Sequence, residues 1–115
     1  MRQQLAKWQW EGYPQFHQNK LNLIIHILTV PVFVGSLFNV IWSLVNLWLL
    51  NAAVSALGMG IAFGAQAFGH GREKNPAIPF DGPADALSRI FLEQLLTFWR
   101  YVFSGKWFTA LTAKG

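Results

Sequence analysis

The sequence contains no cysteine. That absence removes disulfide frameworks, zinc knuckles, iron-sulfur clusters and thiol nucleophiles together, so any metal must sit on histidine, carboxylate or carbonyl ligands. Charge is also scarce: Asp, Glu, Lys and Arg make up 12% of the 115 residues and hydrophobic residues 53%, proportions that argue against a freely soluble domain. The scarcity is concentrated in one place. From Leu21 to Gly71 there are 51 residues without a single Asp, Glu, Lys or Arg, a length that suits a membrane and not a soluble core. The net charge of +4 is spread over scattered Lys and Arg. No basic run or stripe supports a nucleic-acid partner, and the surplus points instead to anionic lipid headgroups. The apolar block starts only at Leu21, is interrupted by Pro31 and has no small-x-small cleavage site soon after it, so it reads as retained and not as a secretory signal.

A helix spanning the block would reach about 76 Å, against a hydrocarbon core about 30 Å thick, so two crossings and a turn use it up. Arg2, Lys7 and Lys20 precede the block, and Arg72 and Lys74 follow it. The positive-inside rule then places both ends in the cytoplasm. The expected architecture is all-α, a single membrane-embedded domain over residues 1–115, with crossings at about 22–45 and 52–70. The turn falls around Asn46 to Asn51, with Trp42 and Trp48 as interfacial aromatics. Pro31 and Gly35 predict a kink in the first crossing. In the second, Ala52, Ala56, Gly60 and Gly64 recur every four residues. This small-residue stripe predicts a close helix–helix seam, within the hairpin or between two copies in a homo-oligomer.

Asn75, Pro76, Pro79, Gly82 and Pro83 predict a rigid loop. An amphipathic helix follows at about 84–104. Asp85, Arg89 and Glu93 fall at successive i, i+4 positions, while Leu87, Ile90, Phe91, Leu95, Phe98, Trp99 and Val102 gather elsewhere on it. It is expected to lie in the interface or to fold back onto the hairpin, and to end before Gly105. The first twenty residues, with Trp8, Trp10 and Phe16, read as a short N-terminal interfacial segment.

All three histidines, His17, His26 and His70, lie at or near the cytoplasmic ends of the crossings. On one continuous helix His17 and His26 would be separated by about 13.5 Å and point to opposite faces. They can share a metal only if the chain breaks between them, and Pro14 with the N-cap candidates Asn19 and Asn22 supplies such a break. Asn22 and His26 would share a helical face, as would His70 and Glu73 if the second helix continued one more turn. Three histidines and a carboxylate suit non-heme iron, zinc or manganese alike. Asn22 reads as a helix cap or as a group orienting a ligand, and Glu73 as a ligand or a headgroup-region charge.

Two motifs carry a family resemblance. One is His17-Gln-Asn-Lys-Leu-Asn22-Leu-Ile-Ile-His26, followed by Val30-Pro31, and the other is Gly69-His70-Gly-Arg-Glu73, followed by Pro76-Ala77. They resemble a family of small membrane proteins typified by a fungal endoplasmic-reticulum dioxygenase that degrades 2-hydroxy fatty acids, and the likeness spans residues 13 to about 90. The resemblance implies an Fe(II)-dependent dioxygenase that shortens a 2-hydroxy fatty acid by one carbon through alpha-oxidation, with molecular oxygen as co-substrate. It implies His17, His26 and His70 as iron ligands, Asn22 and Glu73 as further catalytic residues, and Lys20, Arg72 and Lys74 as cations attracting the substrate carboxylate. Two departures stand out: Glu73 to Pro76 is one residue shorter than the commoner family pattern, and Arg72 occupies a position where an aromatic is often found. The chain is also shorter than the fungal enzyme, and its compactness suggests a bacterial inner membrane.

Two other readings compete. His26 and His70, on facing helices, suit the axial positions of a b-type haem in an electron carrier. Alternatively the protein is a non-enzymatic membrane or lipid-binding adaptor, whose histidines only form hydrogen bonds.

Overall fold

The computed structural model describes residues 4–113, so Arg2, counted above among the flanking cations, lies outside the described residues. Helices and their connections account for the whole described chain, with no strand among the described residues. Helix α1 (Leu5–Gly12) runs into a 3-10 turn at Tyr13–Phe16. Two long helices follow, α2 (Lys20–Val45) and α3 (Leu49–His70). The last part comprises α4 (Pro83–Leu92), a π-helical turn at Glu93–Thr97, α5 (Phe98–Phe103) and α6 (Lys106–Thr112).

Helices α2 and α3 are long and apolar enough to cross a membrane. Their connection is tighter than the six residues expected: only Asn46–Trp48 separate them, and Trp48 N–H reaches back to the Ser43 carbonyl at 2.8 Å. Pro31 lies inside α2, which continues unbroken to Val45. Near the turn, Asn39 donates to Ser55 at 2.8 Å and Asn51 to Ser43 at 2.6 Å. Such side-chain bonds between helices hold their register where the surroundings are apolar.

The seam within the hairpin differs from the expected stripe. Ala52, Ser55, Ala62, Gln66 and Gly69 are buried along α3, whereas Ala56, Gly60 and Gly64 are exposed. A Cβ placed on Gly60 or Gly64 would meet nothing within 4 Å. The reason is angular: at 100° per residue a strict four-residue repeat precesses about 40° per step, so Gly64 lies about 120° around the helix from Ala52. The observed seam steps by three, seven, four and three residues, each close to whole turns of the helix and deviating in both senses, which keeps it facing a partner helix.

The C-terminal segment folds back onto one end of the hairpin. Tyr13, Leu23, Val30, Phe98, Tyr101 and Trp107 form the core there, and Trp107 Nε1–H donates to the Leu23 carbonyl at 3.1 Å. Gly105, at φ 84°, takes the left-handed conformation that turns α5 into α6. Beside this apolar core the segment buries polar groups and exposes apolar ones: Asp85, Gln94 and Thr97 are buried, while Leu87, Leu95, Leu96 and Phe103 are exposed. The charged face read from the i, i+4 spacing therefore points inward.

Candidate metal centre

The covered end of the hairpin is where the histidines meet. Asn19 caps α2, its side chain accepting Asn22 N–H at 3.1 Å, and His17 precedes that cap with an extended φ of −134°. The break lets His17 fold back beside His26. His70 ends α3 and reaches the same point. The three ring centroids lie 4.8 to 5.0 Å apart, each pair close to perpendicular. His17 and His26 are buried, 4% and 1% exposed.

Second contacts fix how the rings present themselves. His17 Nδ1 lies 2.8 Å from the Tyr13 carbonyl, and His26 Nδ1 lies 2.9 Å from the Asn22 carbonyl. A carbonyl can only accept, so each Nδ1 carries the proton and each Nε2 turns a lone pair inward. Tyr13 also stacks flat on His17, at 3.7 Å between centroids and 9° between planes.

Glu93 completes the cluster. Its Oε2 lies 3.3 Å from His17 Nε2 and 3.5 Å from His26 Nε2, and accepts the Tyr13 hydroxyl at 2.8 Å. Burial disfavours the Glu93 charge, and only positive charge beside it at His17 and His26 holds the carboxyl well below its usual range, a charge that a bound cation supplies when the imidazoles are neutral. Burial raises the Tyr13 phenol well above its usual range, so it remains a donor. The π turn explains the placement: its extra residue per turn sets Glu93, Gln94, Thr97 and Phe98 together on the inward side, an irregularity frequent at functional sites.

These four residues fit a metal ion. One ligand atom from each of His17, His26, His70 and Glu93 falls within 4.8 Å of the others. Ligands about 2.1 Å from a common ion are at most about 4.2 Å apart, so the contacts to Glu93 already match and the widest pair needs only a small closure. His17 Nε2, His26 Nε2 and His70 Nδ1 are buried without a hydrogen-bond partner. Lone pairs converging on a carboxylate oxygen lack a positive centre, and a cation supplies it.

The other residues singled out in the sequence lie around this centre. Glu73 is not in the four-ligand group, because α3 ends at His70 and the chain turns away. Its carboxylate accepts Gln18 N–H at 2.9 Å, Asn19 N–H at 3.0 Å and the Asn22 amide at 2.7 Å. It thereby clamps the start of α2, where the helix dipole favours an anion. Asn22 is buried between Glu73 and Gly69. A Cβ on Gly69 would collide with the Asn22 side chain and come within 3.3 Å of its Cα. Gly69→Ala, which would favour an isolated helix by about 1 kcal/mol, is therefore expected to destabilise the protein and weaken metal binding together, as thermal melting and metal titration would show.

Lys20, Arg72 and Lys74 are exposed; Arg72 stacks over the Phe68 ring at 5.1 Å. None of them lines the cavity of about 580 Å³ that opens against His17, His70 and Glu93. The cation in its wall is Arg89, which donates to the Ile78 and Pro79 carbonyls at 2.7 and 3.1 Å and pairs with Asp85 at 3.2 Å. Sequence reasoning missed both Glu93 and Arg89 as parts of the site. Their signal was the i, i+4 row itself, which reads as a solvated face when helix polarity is judged against water.

No curated protein and no solved structure is significantly similar to this chain. Residues 3–100 match the family described as 2-hydroxy-palmitic acid dioxygenase Mpo1-like. A match over this span, which includes all four clustered side chains, means that the chain belongs to that family.

Proposed function

We propose that the protein is an Fe(II)-dependent dioxygenase that shortens 2-hydroxy fatty acids by one carbon, with His17, His26, His70 and Glu93 holding the iron. The observation that carries this reading is the set of buried, unpartnered imidazole nitrogens gathered around one carboxylate. The family description supplies the substrate class. Iron, when bound, supplies the redox chemistry that lets molecular oxygen react with the substrate. An acid one carbon shorter, carbon dioxide and water balance one 2-hydroxy acid and one oxygen molecule.

The chain's own groups do the rest. The Tyr13 and Asn22 carbonyls hold His17 and His26 in the tautomer that turns Nε2 inward. Tyr13 keeps Glu93 in place through its hydroxyl. Asn22 and Glu73 act as positioning residues, tying the α3–α4 loop to the break before α2. Lys20, Arg72 and Lys74 draw the substrate carboxylate to this end of the hairpin. The hairpin crosses the membrane twice, and the flanking cations put the site at the cytoplasmic face.

A haem between His26 and His70 is disfavoured, because His17 and Glu93 crowd the same centre. The test is metal content and turnover of protein purified without oxygen in mild detergent. Near-stoichiometric iron is expected, with conversion of 2-hydroxypalmitic acid to the acid one carbon shorter, lost on chelation and restored by Fe(II). Metal-free protein that gains no activity with Fe(II) would sink the iron mechanism.

A further inference from the structure

We propose that Gln9 of α1 is a positioning residue of the metal centre, bridging the π turn so that Glu93 faces the ion. The proposal rests on the metal-centre reading and goes beyond it by assigning a role to a side chain outside the ligand group. A π turn is a rare interruption of an α-helix, and here it sets which way Glu93 points. Its wide bond runs from Phe98 N–H to the Glu93 carbonyl. Just before it, Glu93 N–H still bonds the Arg89 carbonyl, as in an ordinary α turn.

The Gln9 amide grips both sides of this change of register. Its Nε2–H donates to the Arg89 carbonyl at 2.9 Å, and its Oε1 accepts the hydroxyl of Thr97, which is buried and ends the π turn. Glu93 sits midway, four residues after Arg89 and four before Thr97. One planar amide therefore fixes the span in which the carboxylate lies. Gln9, Tyr13 and His17 follow one another at four-residue intervals. Gln9 holds the backbone on either side of Glu93, Tyr13 donates to its Oε2 at 2.8 Å, and His17 brings a ligand of its own. Gln66 of α3 anchors the adjoining Gln94 through amide bonds of 3.1 and 2.6 Å, which locates the turn against the hairpin. The N-terminal segment then sets how the turn is wound there.

Three imidazoles alone suit Zn(II), whereas Mn(II) prefers oxygen ligands such as a carboxylate. Displacing Glu93 should therefore change which metal the site favours, while a general loosening of the fold would weaken both metals alike. Gln9→Met, which removes both bonds, and Thr97→Val, which removes the hydroxyl, are titrated with Mn(II) and Zn(II) beside the full-length parent in detergent. Each variant is expected to lose about 10–100-fold in Mn(II) affinity, the range for a residue that orients a metal ligand, and less in Zn(II) affinity. Thr97→Ser, which keeps the hydroxyl, should restore the parent's ratio. A second readout needs no metal: amide hydrogen exchange in the peptide carrying Glu93 to Thr97 is expected to quicken in metal-free Gln9→Met and Thr97→Val and not in Thr97→Ser. A parent that binds neither metal would remove the metal centre, while quickened exchange would still show Gln9 holding the turn. Equal losses for the two metals, or none, in variants of a parent that binds them would overturn the proposal, as would unchanged exchange where the parent binds neither.

Discussion

Glu93→Gln is expected to weaken iron binding by more than the ~10–100-fold typical of losing an outer partner of a metal ligand, and to abolish turnover. The substitution is nearly isosteric, and the Gln carbonyl can still accept the Tyr13 hydroxyl that now bonds Oε2 at 2.8 Å. Packing and the Tyr13 contact are thus kept, while the charge facing His17 and His26 is lost. Glu93→Ala adds a second defect, an unpaired buried hydroxyl worth about 1–3 kcal/mol, and should melt at a lower temperature than the Gln variant. Anaerobic Fe(II) titration of both, beside thermal melts, separates these effects. Gln protein that binds iron as tightly as the parent would remove Glu93 from the ligand set.

His17→Ala, His26→Ala and His70→Ala should each reduce activity to background and iron content to a small fraction of one per chain. Metal affinity here depends on several neutral donors fixed in advance, so removing one leaves a cavity that the other ligands cannot close across. Insertion of the hairpin should be unaffected, since it follows from apolar length and not from the site. Elemental analysis and protease protection of membrane-embedded protein report the two properties separately. A histidine whose loss leaves iron and activity intact does not belong to the centre.

The parts of the molecule legible in its sequence were those set by length and by local chain chemistry. A charge-free run of 51 residues has few places to go, and Asn19 announces the break that frees His17 from the α2 register. The meeting of His17 with His26 could be argued from that break, and the arrival of His70 from the return of the hairpin to the same end. Features set by rotation about a helix axis were harder to read. The small-residue stripe looked regular because it repeats every four residues, and that regularity carries it off the seam. Glu93 was hidden twice: its partners in the i, i+4 row suggested a wet surface, and the π turn that aims it inward has no marker in sequence. Glu73 illustrates a third difficulty. Its distance in sequence from His70 suited a shared face only while α3 continued, and α3 stops at His70 itself.

The outward leucines of the C-terminal segment have a consequence for how substrate is counted. Leu87, Leu95, Leu96 and Phe103 give the cap around the site exposed apolar groups continuous in character with the hairpin, so a hairpin that spans a membrane, as proposed, would bring the cap into headgroup and hydrocarbon before water. A fatty acid reaching the cavity of such an enzyme would already have left solution. The concentration governing the encounter would then be a mole fraction in the leaflet, a two-dimensional quantity diluted by other lipids and indifferent to the volume of the surrounding water.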